Sequence, residues 1–186
     1  MKILILALMF ISNVHAAELA GVTLEDKLSV EGQELVLNGI GIRKVTKFGF
    51  PIKVYVGGLY TPNKSKDQDE ILKMKGAKKI IMQFVLAVDR DTLLEAFGNS
   101  FKGNCVAECE KKSEMFALLK VHIPPVRKGD QMNFIALPDK MIIEVKGANA
   151  KRVEMPGAAL STNIIAMFIN KVQPPSPELR SGLLGL

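Results

Sequence analysis

Cysteine and histidine are scarce in this chain, with two of each among 186 residues. His15 falls in an N-terminal leader and His122 stands alone, so no four-ligand set at zinc spacing exists and no metal or other cofactor is expected. His122 precedes Pro124 and Pro125 with no carboxylate neighbour in sequence to orient it, which suits a surface or capping residue better than a general base. Ser161-Thr162 lacks the strand-turn-helix glycine context of a nucleophile elbow. Repeats, low-complexity segments and RNA- or DNA-binding signatures are also missing, which argues against nucleic acid as a partner. Beyond the leader, no apolar run approaches the roughly 18 to 20 residues that a helix needs to cross a bilayer.

What is present fits one domain with a real core: 48% hydrophobic and 24% charged residues. The first 17 residues form a separate segment. Lys2 is followed by the apolar run Ile3 to Ile11, polar Ser12 and Asn13, and the small-residue ending Val14-His15-Ala16-Ala17. This is the pattern of a secretory signal peptide cut after Ala16 or Ala17. The expected organisation is therefore a signal peptide over 1–17 and a single domain over 18–186, exported, and periplasmic if the source is Gram-negative. Removing Lys2 from the 25 basic residues leaves 24 against 19 acidic ones. The excess is scattered in pairs such as Lys78-Lys79 and Arg127-Lys128, as on a solvated surface, with room for weak attraction to acidic lipid headgroups.

Export also bears on Cys105 and Cys109. On a helix, residues four apart bring their α carbons to about 6 Å, within reach of a disulfide. Bridged and free thiols both remain open, and a bridge would pin only a local turn.

Along the chain, Leu35–Thr46 and Phe50–Tyr60 are strand-like, with a turn over Lys47–Gly49. A short helix is expected over Lys66–Met74, a strand over Lys78–Val88 and an amphipathic helix over Asp91–Phe101, with Leu93, Leu94, Phe97 and Phe101 at helical spacing. Glu108–Lys120 is a further helix. Met132–Leu137, Lys140–Lys146 and Lys151–Met155 suggest a β-meander, after which Pro156 and Pro177 each open a helix. The class is α+β, a mainly antiparallel sheet covered by helices.

One stretch carries chemistry: GIGIRKVTKFGFPIKVYVGGLY, Gly39 to Tyr60. If its two strands pair about a turn centred on Gly49, Arg43 lies opposite Tyr55, and the same face carries Gly39, Gly41 and Gly57. Strand-interior glycines admit close approach, so Gly39, Gly41 and Gly57 could floor a pocket headed by the guanidinium fork and the phenol. Alternatively, Arg43 faces solvent and the glycines relieve twist or mark a bulge.

The motif G-x-G-x-R, a gap, then KVYVGGLYTP resembles the chalcone isomerase-like superfamily in its bacterial exported branch. QFVLAVDRD, TLLEAFGNSF, MPGAALSTNIIAMFI and PSPELRSGLLG agree with it in order. The resemblance implies an open-faced β-sandwich, a broad antiparallel sheet with a helical layer on one face. It places the family arginine on Arg43 and the active-site threonine on Tyr55. A gapless match of the helix puts the catalytic tyrosine on Thr92, the neighbouring lysine on Glu95 and the asparagine on Asn99. A hydroxyl near the C-terminus falls on Ser161 or Thr162. The family includes isomerases that close a chalcone into a flavanone and members that bind fatty acids. Glu95 in place of a lysine would oppose the negative charge that ring closure develops.

Three functions follow. The first is a non-catalytic binder of a fatty acid or similar amphipathic anion, with Arg43 and Tyr55 as ligand-binding residues and Thr92, Asn99 and Ser161 as further candidates. The second is an intramolecular lyase acting on a conjugated ketone, with Arg43 as electrostatic anchor and Tyr55 as proton donor. The third is a structural or partner-binding envelope protein with a vestigial pocket.

Overall fold

The computed structural model describes residues 16–186. The expected leader lies outside the described residues except for Ala16 and Ala17, which open the first strand. Nine strands follow in order: β1 Ala16–Leu19, β2 Val22–Glu25, β3 Lys27–Val30, β4 Gln33–Lys47, β5 Phe50–Thr61, β6 Lys78–Phe84, β7 Gln131–Ala136, β8 Lys140–Lys146 and β9 Lys151–Pro156. The helices are α1 Gln68–Lys73, α2 Arg90–Gly103, α3 Lys112–Lys120, α4 Ala158–Ile169 and α5 Pro177–Leu184. Strands β3 to β9 form one sheet in chain order, every neighbour antiparallel.

Strands β1 to β3 occupy residues 16–30, ahead of the first expected strand. They are four residues each, and only β2 and β3 alternate apolar with polar, too short a run for a pattern to stand out. Their turns give the better signal. Ala20-Gly21, Glu31-Gly32 and Phe48-Gly49 all place both residues at positive φ, the pattern of the two-residue type I′ turn that suits twisted hairpins.

The sheet separates two cores. On one face α2, α4 and α5 bury Leu59, Met82, Phe84, Phe134 and Ile143 beneath Phe97, Phe101, Phe168 and Leu183. From Asn163 to Ile169 every residue of α4 is buried, which explains why that helix is apolar on nearly all sides. On the other face Leu35, Leu37, Ile81, Ile135 and Ile142 form a smaller core topped by Leu24 of β2. The sheet is curled into a half-barrel around this second face. Arg152 on one edge strand, β9, reaches Glu31, in the turn leaving the opposite edge strand, β3, at 2.6 Å. Among the described residues no helix is long and apolar enough to cross a membrane.

The β4–β5 register explains how Arg43 meets Tyr55. The turn is two residues, Phe48-Gly49, with Lys47 opposite Phe50, so it centres half a residue before Gly49. Left alone, that would move Arg43 off Tyr55. Val54 is an extra residue on β5, a bulge that shifts the ladder by one between Lys44–Lys53 and Arg43–Tyr55 and restores the pairing.

Helix α5 is laid against β4. Ser176 caps it by accepting a hydrogen bond from the Leu179 N–H at 3.1 Å, Pro177 supplies the first turn, and Gly185 ends it at φ 64°. Leu179 and Leu183 are fully buried, each contributing about 1.5–3 kcal/mol relative to exposure.

Candidate functional site

The ends of β4 and β5 that run beyond α5 form one wall of a cavity of about 660 Å³. Arg43 and Tyr55 stand side by side on this wall, with Val45, Ile52 and Val54 continuing it toward the hairpin tip. The facing wall is α2, through Thr92, Leu93, Ala96, Phe97 and Asn99. Leu86 to Val88 leave the β6 ladder before Val88, where a strand was expected to continue, and border the opening. Gln173-Pro174-Pro175 closes the third side.

Tyr55 is 4% exposed, its ring tilted against Phe84 with centroids 5.5 Å apart. Burial pushes its phenol well above the ordinary tyrosine range, and the neighbouring Arg43 charge opposes this only in part. It is therefore a neutral hydroxyl donor throughout the physiological range. Arg43 is half-buried and donates from Nη1 to the Lys44 carbonyl at 2.7 Å, which fixes the guanidinium and leaves the remaining donors of its fork for a ligand. The arrangement offers the Arg43 cation and one neutral donor side by side in a mainly apolar space that Lys47 also lines. Its volume lies in the usual range for small-molecule sites.

Three glycine expectations are corrected here. Gly39 and Gly41 do not floor the cavity, because α5 sits directly on them. A Cβ built on Gly41 would lie 2.5 Å from the Leu179 carbonyl oxygen, and one on Gly39 would strike the Gly182 and Leu183 carbonyls. Gly57 likewise lies under the Leu179 side chain, 2.8 Å from such a Cβ. The glycines clear space for a helix of the same chain.

The remaining predicted residues divide. Thr92 and Asn99 both line the cavity, one helical face of α2. Thr92, however, gives its hydroxyl proton to Asp89 Oδ2 at 2.7 Å while its N–H bonds Asp89 Oδ1 at 2.8 Å. Asp89 is the N-cap of α2, and these hydrogen bonds hold its carboxyl below the usual range. Thr92 can thus accept from a ligand but has no proton left to give. Glu95 is not among the lining residues. Ser161 is corrected: it is buried on α4 and lines a separate cavity of about 320 Å³ with Lys78, Leu72 and Ile165. Thr162, its alternative, lines the same second cavity and back-bonds to the Ala158 carbonyl at 3.0 Å. His122 borders neither cavity.

Sequence reasoning missed the closing segment. Asn104 is 1% exposed; its Nδ2 donates to the Gln173 carbonyl at 2.5 Å and its Oδ1 accepts from the Gln173 N–H at 2.9 Å. Ser100 Oγ adds a bond to the same carbonyl at 2.9 Å. The available signal was Ser100 and Asn104 four apart, both polar on the buried side of a helix.

Cys105 and Cys109 are bridged, with α carbons 5.7 Å apart. The pair sits between α2 and α3, not within a helix: Cys109 opens a 3₁₀ turn over Cys109–Lys111. Asn163 of α4 holds the bridged loop, accepting from the Val106 and Ala107 N–H groups at 2.9 and 3.0 Å.

A curled antiparallel sheet with helices on one face is the architecture of a known class, and the chain belongs to it: the chalcone isomerase-like family model matches residues 16–185. A solved structure similar to this one is a fatty-acid binding protein of Arabidopsis thaliana, at TM-score 0.70 and 15% identity, with 91% of this chain and 96% of that chain covered. At that identity the likeness establishes the fold. No curated protein matches the chain in sequence.

Proposed function

We propose that this protein binds a fatty acid or similar amphipathic anion, with no catalytic step, and that it does so outside the cytoplasm after loss of the leader. The observation that carries the reading is Arg43 beside the buried, neutral hydroxyl of Tyr55 at the head of a cavity walled by Val54, Leu93 and Phe97. A carboxylate would accept from the guanidinium fork and from the phenol, while its hydrocarbon tail leaves water along the apolar wall. The fatty-acid binding protein that shares the fold supports the same ligand class. Among the described residues Asp89 is the one carboxylate bordering the cavity, and its cations, Arg43 and Lys47, both come from β4 and none from α2.

The decisive experiment is native purification followed by lipid extraction and mass spectrometry. An acyl carboxylate is expected at near-stoichiometric amounts, lost in Arg43→Ala. An empty wild-type cavity, or the same lipid in the same amount in the variant, refutes the reading. The intact mass of the native protein tests export. Cleavage after Ala16 removes only the Ala16–Glu25 pair of β1–β2, and cleavage after Ala17 removes the next pair as well.

A further inference from the structure

The tip of the β4–β5 hairpin is unlike the rest of the surface. Phe48 is 88% exposed and Phe50 72% exposed, while Val45 and Leu86 are exposed beside the cavity mouth. Phe48 also occupies the first position of the type I′ turn at φ 52°, where asparagine or aspartate is favoured and a bulky aromatic is unusual. Neither turn chemistry nor burial explains a phenylalanine there.

The charges on the hairpin itself have one sign, and the carboxylates nearest it, Asp89 and Glu178, lie on other elements beside Arg43. Lys44, Lys47 and Lys53 join Arg43, and no aspartate or glutamate occurs between Leu35 and Lys66. None of the three lysines forms an ion pair among the described residues. The Lys47 ammonium sits 5.7 Å from the centre of the Phe48 ring. A projecting pair of aromatics ringed by cations matches a surface with an apolar interior and anionic headgroups. A protein partner would be expected to meet the mixed signs found elsewhere on the chain.

We propose that this hairpin tip docks the protein on an anionic lipid bilayer, with Phe48 and Phe50 inserted among the acyl chains and Lys44, Lys47 and Lys53 at the headgroups. Docked this way, the mouth bordered by Val45 and Leu86 faces the lipid, so an acyl ligand passes between bilayer and cavity without crossing bulk water. This last step rests on the binding reading; the docking does not.

The sequence has no tryptophan, so Phe48→Trp supplies a single reporter at the tip. With vesicles of phosphatidylglycerol and phosphatidylcholine, its emission is expected to shift to the blue and to be quenched by brominated acyl chains. Binding should be about ten-fold weaker to pure phosphatidylcholine and should weaken with added salt. The double variant Phe48→Asn/Phe50→Thr, which improves the turn residue, is expected to lose vesicle flotation by about ten-fold while keeping its extracted lipid and unfolding midpoint. Lys44→Gln/Lys53→Gln should lose only the preference for anionic vesicles. An unshifted reporter, flotation unchanged in the double variant, or a blue shift that rises with protein concentration in the absence of lipid overturns the proposal. Arg43→Ala separates the two readings: loss of extracted lipid with flotation intact supports docking on its own.

Discussion

Two halves of one hairpin face, a few residues apart, solve opposite problems. At its base Gly39, Gly41 and Gly57 lie beneath α5, where any side chain would collide with the helix backbone or with Leu179. Beyond α5 the same face carries Arg43 and Tyr55, which line a cavity instead of lying beneath a helix backbone. What stands above a strand position decides which residue it tolerates. The boundary between the packed base and the cavity wall is where α5 ends.

Substitutions on either side should therefore fail differently. The largest effect is expected at the base: Gly41→Val should cost about 3 kcal/mol or more in denaturant unfolding, because the obstacle is backbone that cannot rotate away. Stability within about 0.5 kcal/mol of wild type would show that α5 is not held where described. Beyond the helix, Arg43→Lys should leave the unfolding midpoint nearly unchanged yet weaken fatty-acid binding by about ten-fold in calorimetry, since an ammonium lacks the planar fork. Unfolding that drops as far as for Gly41→Val would erase the distinction. The Cys105–Cys109 bridge closes only a short loop, so Cys105→Ser/Cys109→Ser should cost at most about 2 kcal/mol in thermal unfolding and leave ligand affinity intact.

The smallest change is expected for Tyr55→Phe, about 1 kcal/mol in ligand affinity. Its pH behaviour is more telling. The folded phenol titrates above the unfolded one, so the stabilising difference is fully present below the unfolded pKa near 10 and is lost as pH rises through the folded value. Wild type should thus lose stability above about pH 10 more steeply than Tyr55→Phe in alkaline unfolding curves. Parallel curves would place the Tyr55 hydroxyl in water.

Much of this was legible beforehand for identifiable reasons. The long strands, the meander and the helices announce themselves through periodicity, and the opposition of Arg43 to Tyr55 follows from counting. That count succeeds because two local deviations cancel, a two-residue turn and a bulge at Val54, neither visible in composition. The glycines illustrate what pattern cannot convey. A gap in side-chain volume is plain from sequence, but whether a ligand or Gly182 of a distant helix fills it depends on tertiary packing. Ser161 failed for a related cause: α4 contributes to a different cavity, so sharing a helix layer with α2 did not bring Ser161 to Arg43. The Asn104 clamp on Gln173 joins residues 69 apart, beyond any local signal.

The segment that closes the cavity has one more consequence. Pro174 and Pro175 border it, and a proline has no N–H. A strap of ordinary residues pressed against an acyl chain would strand backbone donors in a dry space, each unmet one costing roughly 1–3 kcal/mol. This strap has no donor to strand at those two positions, and the Gln173 N–H just before them is already held by Asn104. On the binding reading proposed above, this border would dry out when a tail enters and rewet when it leaves without stranding a backbone donor at those two positions.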